Sequence, residues 1–291
     1  MSDADFSARR AAFRKLHESS CFALPNPWDI GSARYLRGLG FKALATSSGG
    51  FAFSRGLPDT DRAVSRHMML EHIAEIVAAV DLPVNADFQS GYAVAPQEIA
   101  KNVEMCIETG VAGLSIEDAT NDPQKPLHQF ALAVDRIRAA SAAVKASATG
   151  VLLTARAECY LTGHPEPLKE SIRRLQAYAE AGADVLYAPG VQKREEIKQI
   201  VAAVKPKPVN LLMGSNLGMT MADIAELGVR RVSVGSSLAR AAWSGFVRAA
   251  KAIAEQGSFA GFDALVPYAE LDEFFRQDLG KGDRRRYSVR G

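Results

Sequence analysis

Short apolar runs alternate along the chain with longer stretches whose apolar positions recur every three to four residues. The runs lie at 21–26, 42–47, 83–88, 112–117, 151–156, 184–188, 208–213 and 231–235, and each has the length of a buried strand. Helix-period stretches fall between them, at 30–39, 66–80, 96–109, 131–146, 167–181, 193–204, 220–227 and 237–255, after an amphipathic opening helix at 5–19. Gly40, Gly110, Gly182 and Gly228 stand where helices end, and Thr220 with Asp223 forms a capping-box pattern. Eight strands alternating with eight helices predict an α/β fold, a (β/α)₈ TIM barrel, with a doubly wound open sheet as the competing topology. The whole chain, 1–291, is expected to form one domain. Its barrel spans about 21–255, and a helical extension follows at 256–291. Within that extension, a helix at about 264–276 carries an apolar face that needs a partner, either its own barrel or a neighbouring subunit.

Composition narrows the class. A chain of 291 residues that is 47% hydrophobic and 23% charged can bury one large core. A net charge of +2 is too small for nucleic acid to be a main partner, and the basic stretch Lys281 to Arg290 reads as a solvated tail. Cys21, Cys106 and Cys159 are scattered without metal spacing, which argues against a disulfide framework and for a reducing compartment. Met1 to Asp5 lacks a signal-peptide pattern, and no apolar run approaches the ~20 residues of a membrane span. A cytoplasmic protein without a membrane partner is expected.

Ligands and chemistry gather at the carboxyl ends of barrel strands, so the strand ends hold the candidates. The third run ends Asn85-Ala86-Asp87-Phe88 and the fourth ends Ile116-Glu117-Asp118. Asn85 and Asp87, at i and i+2, leave the same side of their strand. Asp87 and Glu117 on adjacent strand ends suit a hard divalent cation such as Mg²⁺, with Mn²⁺ as its substitute. Asp118, on the other side of its strand, fits a structural pairing with arginine or a helix cap better. The second run ends Thr46-Ser47-Ser48-Gly49-Gly50, small residues whose backbone N–H groups suit a carboxylate or phosphate oxygen. Arg156 ends the fifth run, placed to grip a substrate carboxylate bidentately or to pair with Glu158. Cys159 reads as a packed thiol. Met213 to Gly218 and Val234 to Ser237 follow the last two strands and match either a phosphate-binding region or plain turns. The absence of lysine from the predicted strand ends disfavours a Schiff-base aldolase. The five histidines form no ligand spacing, and only His128 lies in the loop after the fourth strand.

Together these segments resemble the isocitrate lyase / phosphoenolpyruvate mutase superfamily from about residue 8 to 255. The resemblance rests on Asn26-Pro27-Trp28-Asp29, Thr46-Ser47-Ser48-Gly49, Gly56-Leu57-Pro58-Asp59, Asn85-Ala86-Asp87, Ser115-Ile116-Glu117-Asp118, Asp135-Arg136-Ile137-Arg138-Ala139-Ala140 and Thr154-Ala155-Arg156. It implies a Mg²⁺-dependent barrel acting on α-oxo or α-hydroxy carboxylates, assembled as a homo-oligomer, a dimer or tetramer, that exchanges a C-terminal helix. It also implies metal-shell roles for Asp87, Glu117, Asn85 and Asp59, and an oxyanion-binding role for Ser47 and Ser48. Arg156 becomes the carboxylate-binding arginine, and Thr46, Gly49, Trp28 and Asn210 complete the expected substrate surround.

The departures from the family pattern shape the expectation. Asn85 stands where the family has an acid. The loop Ala119 to His128 lacks the lyases' acid-donating Cys signature, and Pro189 stands where lyases place a Glu. These features disfavour an ordinary isocitrate lyase. They lead to a metal-dependent carbon–carbon lyase or decarboxylase acting on an oxaloacetate-like acid through a stabilised enolate. The rivals are phosphonopyruvate hydrolase or phosphonomutase chemistry, (2-methyl)isocitrate cleavage with His128 or Glu158 as the acid, and a catalytically weak carboxylate-binding homologue.

Overall fold

A computed structural model describes residues 3–286. Eight strands form one parallel sheet: β1 (Phe22–Leu24), β2 (Leu44–Ala45), β3 (Val84–Asp87), β4 (Gly113–Glu117), β5 (Leu152–Arg156), β6 (Val185–Tyr187), β7 (Val209–Leu212) and β8 (Arg231–Ser233). Their order, β1-β8-β7-β6-β5-β4-β3-β2, wraps around, and the Ala45 N–H donates to Pro25 O at 3.0 Å across the remaining seam. A doubly wound sheet would reverse its strand order part-way, so this is a nearly closed (β/α)₈ barrel.

The helices are α1 (Asp3–Ser19), α2 (Ile30–Gly38), α3 (Ser48–Ser54), α4 (Arg66–Ala79), α5 (Pro96–Glu108), α6 (Phe130–Ala146), α7 (Pro167–Glu180), α8 (Arg194–Ala203), α9 (Met221–Glu226), α10 (Ser237–Gln256) and α11 (Tyr268–Arg286). The eight strand runs and the barrel helices fall where the apolar periods put them. The exception is α3, which the Ser-Ser-Gly-Gly stretch concealed as a turn. Ser47 caps it by accepting from the Gly50 N–H at 3.1 Å.

Helix α1 closes the amino end of the barrel. Phe13 is fully buried and meets His17 and Phe22 edge-on, with ring centroids 4.8 and 6.3 Å away. Gly113 makes room for this plug, because a Cβ there would stand 2.8 Å from Phe13 and 2.7 Å from Asn85 Oδ1. Helix α11 lies on α2 of the same chain. Phe274 packs on Tyr35 at 4.8 Å and over Gly38, while Asp278 pairs with Arg34 and Arg37. The basic tail Lys281 to Arg290 lies beyond the residues whose side chains are described. Among the described residues, no helix is long and apolar enough to cross a membrane.

His72 of α4 stacks on Phe51 of α3 at 4.1 Å, and its Nε2 is buried without a partner. Burial, helped by Arg55, pushes its imidazole down to about 4. The unfolded chain therefore takes up this proton from about pH 6.5 downward while the folded protein refuses it. His72 costs no stability at pH 7.5 and progressively more as pH falls toward 4, by roughly 1.4 kcal/mol per pH unit. His72→Phe is accordingly expected to gain on the wild type by about 2–3 kcal/mol between pH 7.5 and 4.5 in paired denaturant melts. A pH-independent difference would show that His72 titrates normally.

Candidate active site

The carboxyl ends of the strands surround a cavity of about 200 Å³. Thr46, Ser47, Ser48, Gly49, Asp59, Asn85, Asp87, Arg156 and Asn210 line it. Asn26 fastens its rim: its Nδ2 donates to Thr46 O at 2.7 Å, and its Oδ1 accepts from the Val234 and Gly235 N–H groups, both at 3.0 Å. The ends of β1, β2 and β8 thereby hold together.

Arg156 organises the acids. Its Nη1 donates to Asp87 Oδ1 at 2.9 Å, its Nη2 meets Glu117 Oε2 at 3.1 Å, and its Nε donates to Glu158 Oε1 at 2.8 Å. Strand register places Glu117 opposite Arg156, and Arg156 also lies over the Tyr187 ring at 5.1 Å. Burial opposes its charge, but the three acids outweigh burial and raise its pKa well above the ordinary arginine value. One guanidinium does not neutralise its surroundings. Burial pushes Glu117 up to about 8, with Glu158, Asp87 and Asp59 adding to the rise against the pull of Arg156. Glu158 is raised too, first by burial.

The start of α3 sits over this cluster. The Ser48 N–H donates to Asp87 Oδ2 at 3.0 Å and its Oγ to Asp59 Oδ2 at 3.3 Å. Gly49 permits the approach, since a Cβ there would fall 2.9 Å from Asp59 Oδ2. Gln89, a residue that strand alternation did not single out, donates from Nε2 to Asp59 Oδ1 at 2.8 Å. Its Oε1 is buried without a partner. Gln89 follows the end of β3 with a φ of 46°, a left-handed turn that brings its side chain to Asp59.

Four expected residues sit away from the rim, Asn85 deeper in the cavity and the others outside its lining. Asn85 is turned down the barrel: its Nδ2 donates to Ala86 O at 3.1 Å and its Oδ1 faces Arg231 Nη1 at 3.4 Å. An amide oxygen already serving a guanidinium is a poor ligand for a second cation, so Asn85 as placed is a weaker candidate donor than the acids, and the unpartnered Gln89 Oε1 is a candidate that the strand pattern did not offer. Trp28 stands behind the cavity, its Cβ packed against Gly50, and does not line it. His128 is likewise absent from the lining, and its backbone joins Asp118 O and Arg174 Nη2. Burial, with Arg136 and Arg174, lowers its imidazole to about 4. Glu158 supports Arg156 from outside the lining. Cys159 is fully buried, and burial raises its thiol to about 11, as a packed cysteine requires.

Among the described residues, no three His, Cys, Asp or Glu side chains stand ready to hold a metal ion as arranged. Arg156 draws the facing oxygens of Asp87 and Glu117 to itself. The donor chemistry still suits a hard cation: acids exceed the one guanidinium, and the buried Gln89 Oε1 has no partner. Asp59, Asp87, Glu117 and Gln89 are the residues that fit.

A family profile described as phosphoenolpyruvate phosphomutase matches residues 13–254. The chain belongs to this family. The crystal structure of a Burkholderia cenocepacia J2315 protein described as a lyase/mutase is 45% identical, covering 94% of this chain and 98% of that one, with a TM-score of 0.89. An oxaloacetate decarboxylase of Pseudomonas entomophila is 32% identical over 78% of each chain. A phosphonopyruvate hydrolase solved with oxalate and Mg²⁺ is 26% identical, covers 97% and 99% of the two chains, and has a TM-score of 0.79. The family is one of enzymes, with lyases and mutases among its members.

Proposed function

We propose that this chain is a divalent-metal-dependent carbon–carbon lyase or decarboxylase acting on a small α-oxo acid of the oxaloacetate type. The observation that carries the reading is the set of acids around Arg156: Asp59, Asp87 and Arg156 line a cavity sized for a small dicarboxylate, Glu117 pairs with Arg156 behind them, and the orphaned Gln89 oxygen belongs to the side chain that holds Asp59. The similarity to an oxaloacetate decarboxylase and to an oxalate- and Mg²⁺-bound hydrolase supports it. A bound Mg²⁺ would supply Lewis-acid polarisation of the substrate's oxygens. Arg156 orients the substrate carboxylate, and Ser47 and Ser48 supply polar groups around it. As the carbon–carbon bond to the departing carboxylate breaks, that group leaves as CO₂, the bonding pair is taken up as an enolate with its charge on the oxo oxygen, and a proton from water completes the product at carbon. Neither His128 nor Glu158 lines the cavity to deliver that proton, which fits a solvent source.

The test is pyruvate release in a lactate dehydrogenase-coupled assay across oxaloacetate, 2-methylisocitrate, dimethylmalate and phosphonopyruvate, with isocitrate followed through glyoxylate. Release from oxaloacetate well above the spontaneous rate, lost with a chelator and restored by Mg²⁺, is expected. Metal-independent release removes the metal from the reading, and release from phosphonopyruvate alone makes phosphorus–carbon chemistry the activity.

The oligomer is proposed on the apolar face of α10. Only Ala239 of its twenty residues is buried, while Leu238, Trp243, Phe246, Val247 and Ile253 are exposed, Phe246 to 60%. A second copy covering this face is the expected occupant, with α11, which here packs on α2 of its own chain, as the helix to be exchanged between the copies. Light scattering is expected to give a dimer or tetramer, and a monomer at micromolar concentration would end the proposal.

A further inference from the structure

Arg231 begins β8 and is only 2% exposed. A guanidinium this deep is costly unless an anion accompanies it. Among the described residues it has no carboxylate partner. Its Nε donates to Asn210 Oδ1 at 2.8 Å and its Nη2 to Thr154 Oγ1 at 3.0 Å. Its Nη1 faces Asn85 Oδ1 at 3.4 Å and His17 Nε2 at 3.5 Å. All four acceptors are neutral. His17 Nδ1 lies 2.8 Å from Phe13 O and donates to it, which leaves Nε2 as the acceptor. Nη2 carries two hydrogens and has one protein acceptor.

Arg231 also lines the floor of the 200 Å³ cavity whose rim Arg156 occupies. Thr154, which anchors its Nη2, lies two residues below Arg156 on β5, a rise of about 6.6 Å. The cavity therefore holds two cations at different depths. The upper one is enclosed by acids, and the lower one is not.

We propose that Arg231 is a second anion anchor, so that the ligand of this cavity carries one anionic group at the Arg156 rim and a carboxylate held at the floor. The inference rests on the α-oxo acid reading above and adds the substrate's shape: a dicarboxylate longer than oxalate, lying along the barrel axis. It also gives the neutral surround of Arg231 a purpose, because an internal carboxylate would compete with the ligand for the guanidinium.

The test is calorimetric binding to the full-length protein with Mg²⁺, using oxalate as the short probe and L-malate as the long one. Arg231→Gln keeps an amide donor and loses the charge. It is expected to weaken malate at least about tenfold and to leave oxalate within about twofold, with Arg231→Lys recovering part of the loss. Equal loss of both ligands, or no loss of malate, overturns the anchor. Should Arg231→Gln fail to fold, Asn210→Asp sets a carboxylate against the Arg231 Nε and is expected to weaken malate selectively; unchanged malate binding there also overturns it. In the wild type, malate binding without oxalate supports the anchor while removing the rim reading. Oxalate binding without malate does the reverse, and binding of neither overturns both.

Discussion

Arg156→Ala is expected to lower turnover by at least a hundredfold to a thousandfold, the range for removing one preorganised charge from a transition state. The same substitution is expected to tighten divalent-cation binding. Arg156 engages one oxygen each of Asp87, Glu117 and Glu158, and those oxygens are released when it is lost. The remaining carboxylates repel one another, so they gain more from a cation than before. Asp87→Ala is expected to lose turnover and cation binding together, because it removes a ligand rather than a competitor. Arg156→Lys is not expected to rescue, since one ammonium cannot span three acids in the planar fork that the guanidinium uses. Steady-state kinetics beside a Mg²⁺ titration separates these outcomes. Wild-type turnover in Arg156→Ala would remove the residue from the chemistry, and weaker cation binding would show that it supports the acids instead of competing for them.

The barrel was legible because its strands are short, apolar and punctuated. Buried parallel strands need apolar residues on both faces, and glycines such as Gly110 and Gly182 end helices in the left-handed conformation. Helix α3 was not legible, since seven residues beginning Ser-Gly-Gly carry too few turns for a period and too much glycine for propensity. Its stability comes from the local Ser47 cap and from Phe51 packed on His72, a contact distant in sequence. The acids Asp87 and Glu117 were found because strand ends in a barrel converge. Alternation then pointed backward to Asn85, which lies deeper in the same cavity, because two residues down a strand is one layer deeper in the barrel. It gave no signal for Gln89, which only the positive φ after β3 turns toward Asp59. Arg231 gave no signal at all, because an Arg-Arg pair at the start of a strand reads as surface charge.

Asp118→Ala is expected to cost about 3–5 kcal/mol of stability, the largest structural effect of any single change near the site. Asp118 is 2% exposed and does not line the active-site cavity. Its Oδ2 accepts from Arg174 Nη1 at 2.8 Å and from the Tyr178 hydroxyl at 2.6 Å, and its Oδ1 accepts from the Glu158 N–H at 2.8 Å. Removing the carboxylate strands a buried guanidinium and a buried hydroxyl together. Arg174 would retain Glu170 at 2.8 Å and the His128 carbonyl at 3.1 Å, which limits the loss. Asp118→Asn is expected to cost less, because the amide oxygen still accepts and Glu170 remains as the charge partner of Arg174. The Glu158 N–H lies next to the acid that braces Arg156, so turnover should fall modestly in both variants, with KM and cation affinity nearly unchanged. Denaturant melts and steady-state kinetics on the two variants check this. A thousandfold loss of turnover in a variant that keeps its stability would make Asp118 part of the chemistry, and a melt unchanged in Asp118→Ala would show that Arg174 and Tyr178 find other partners.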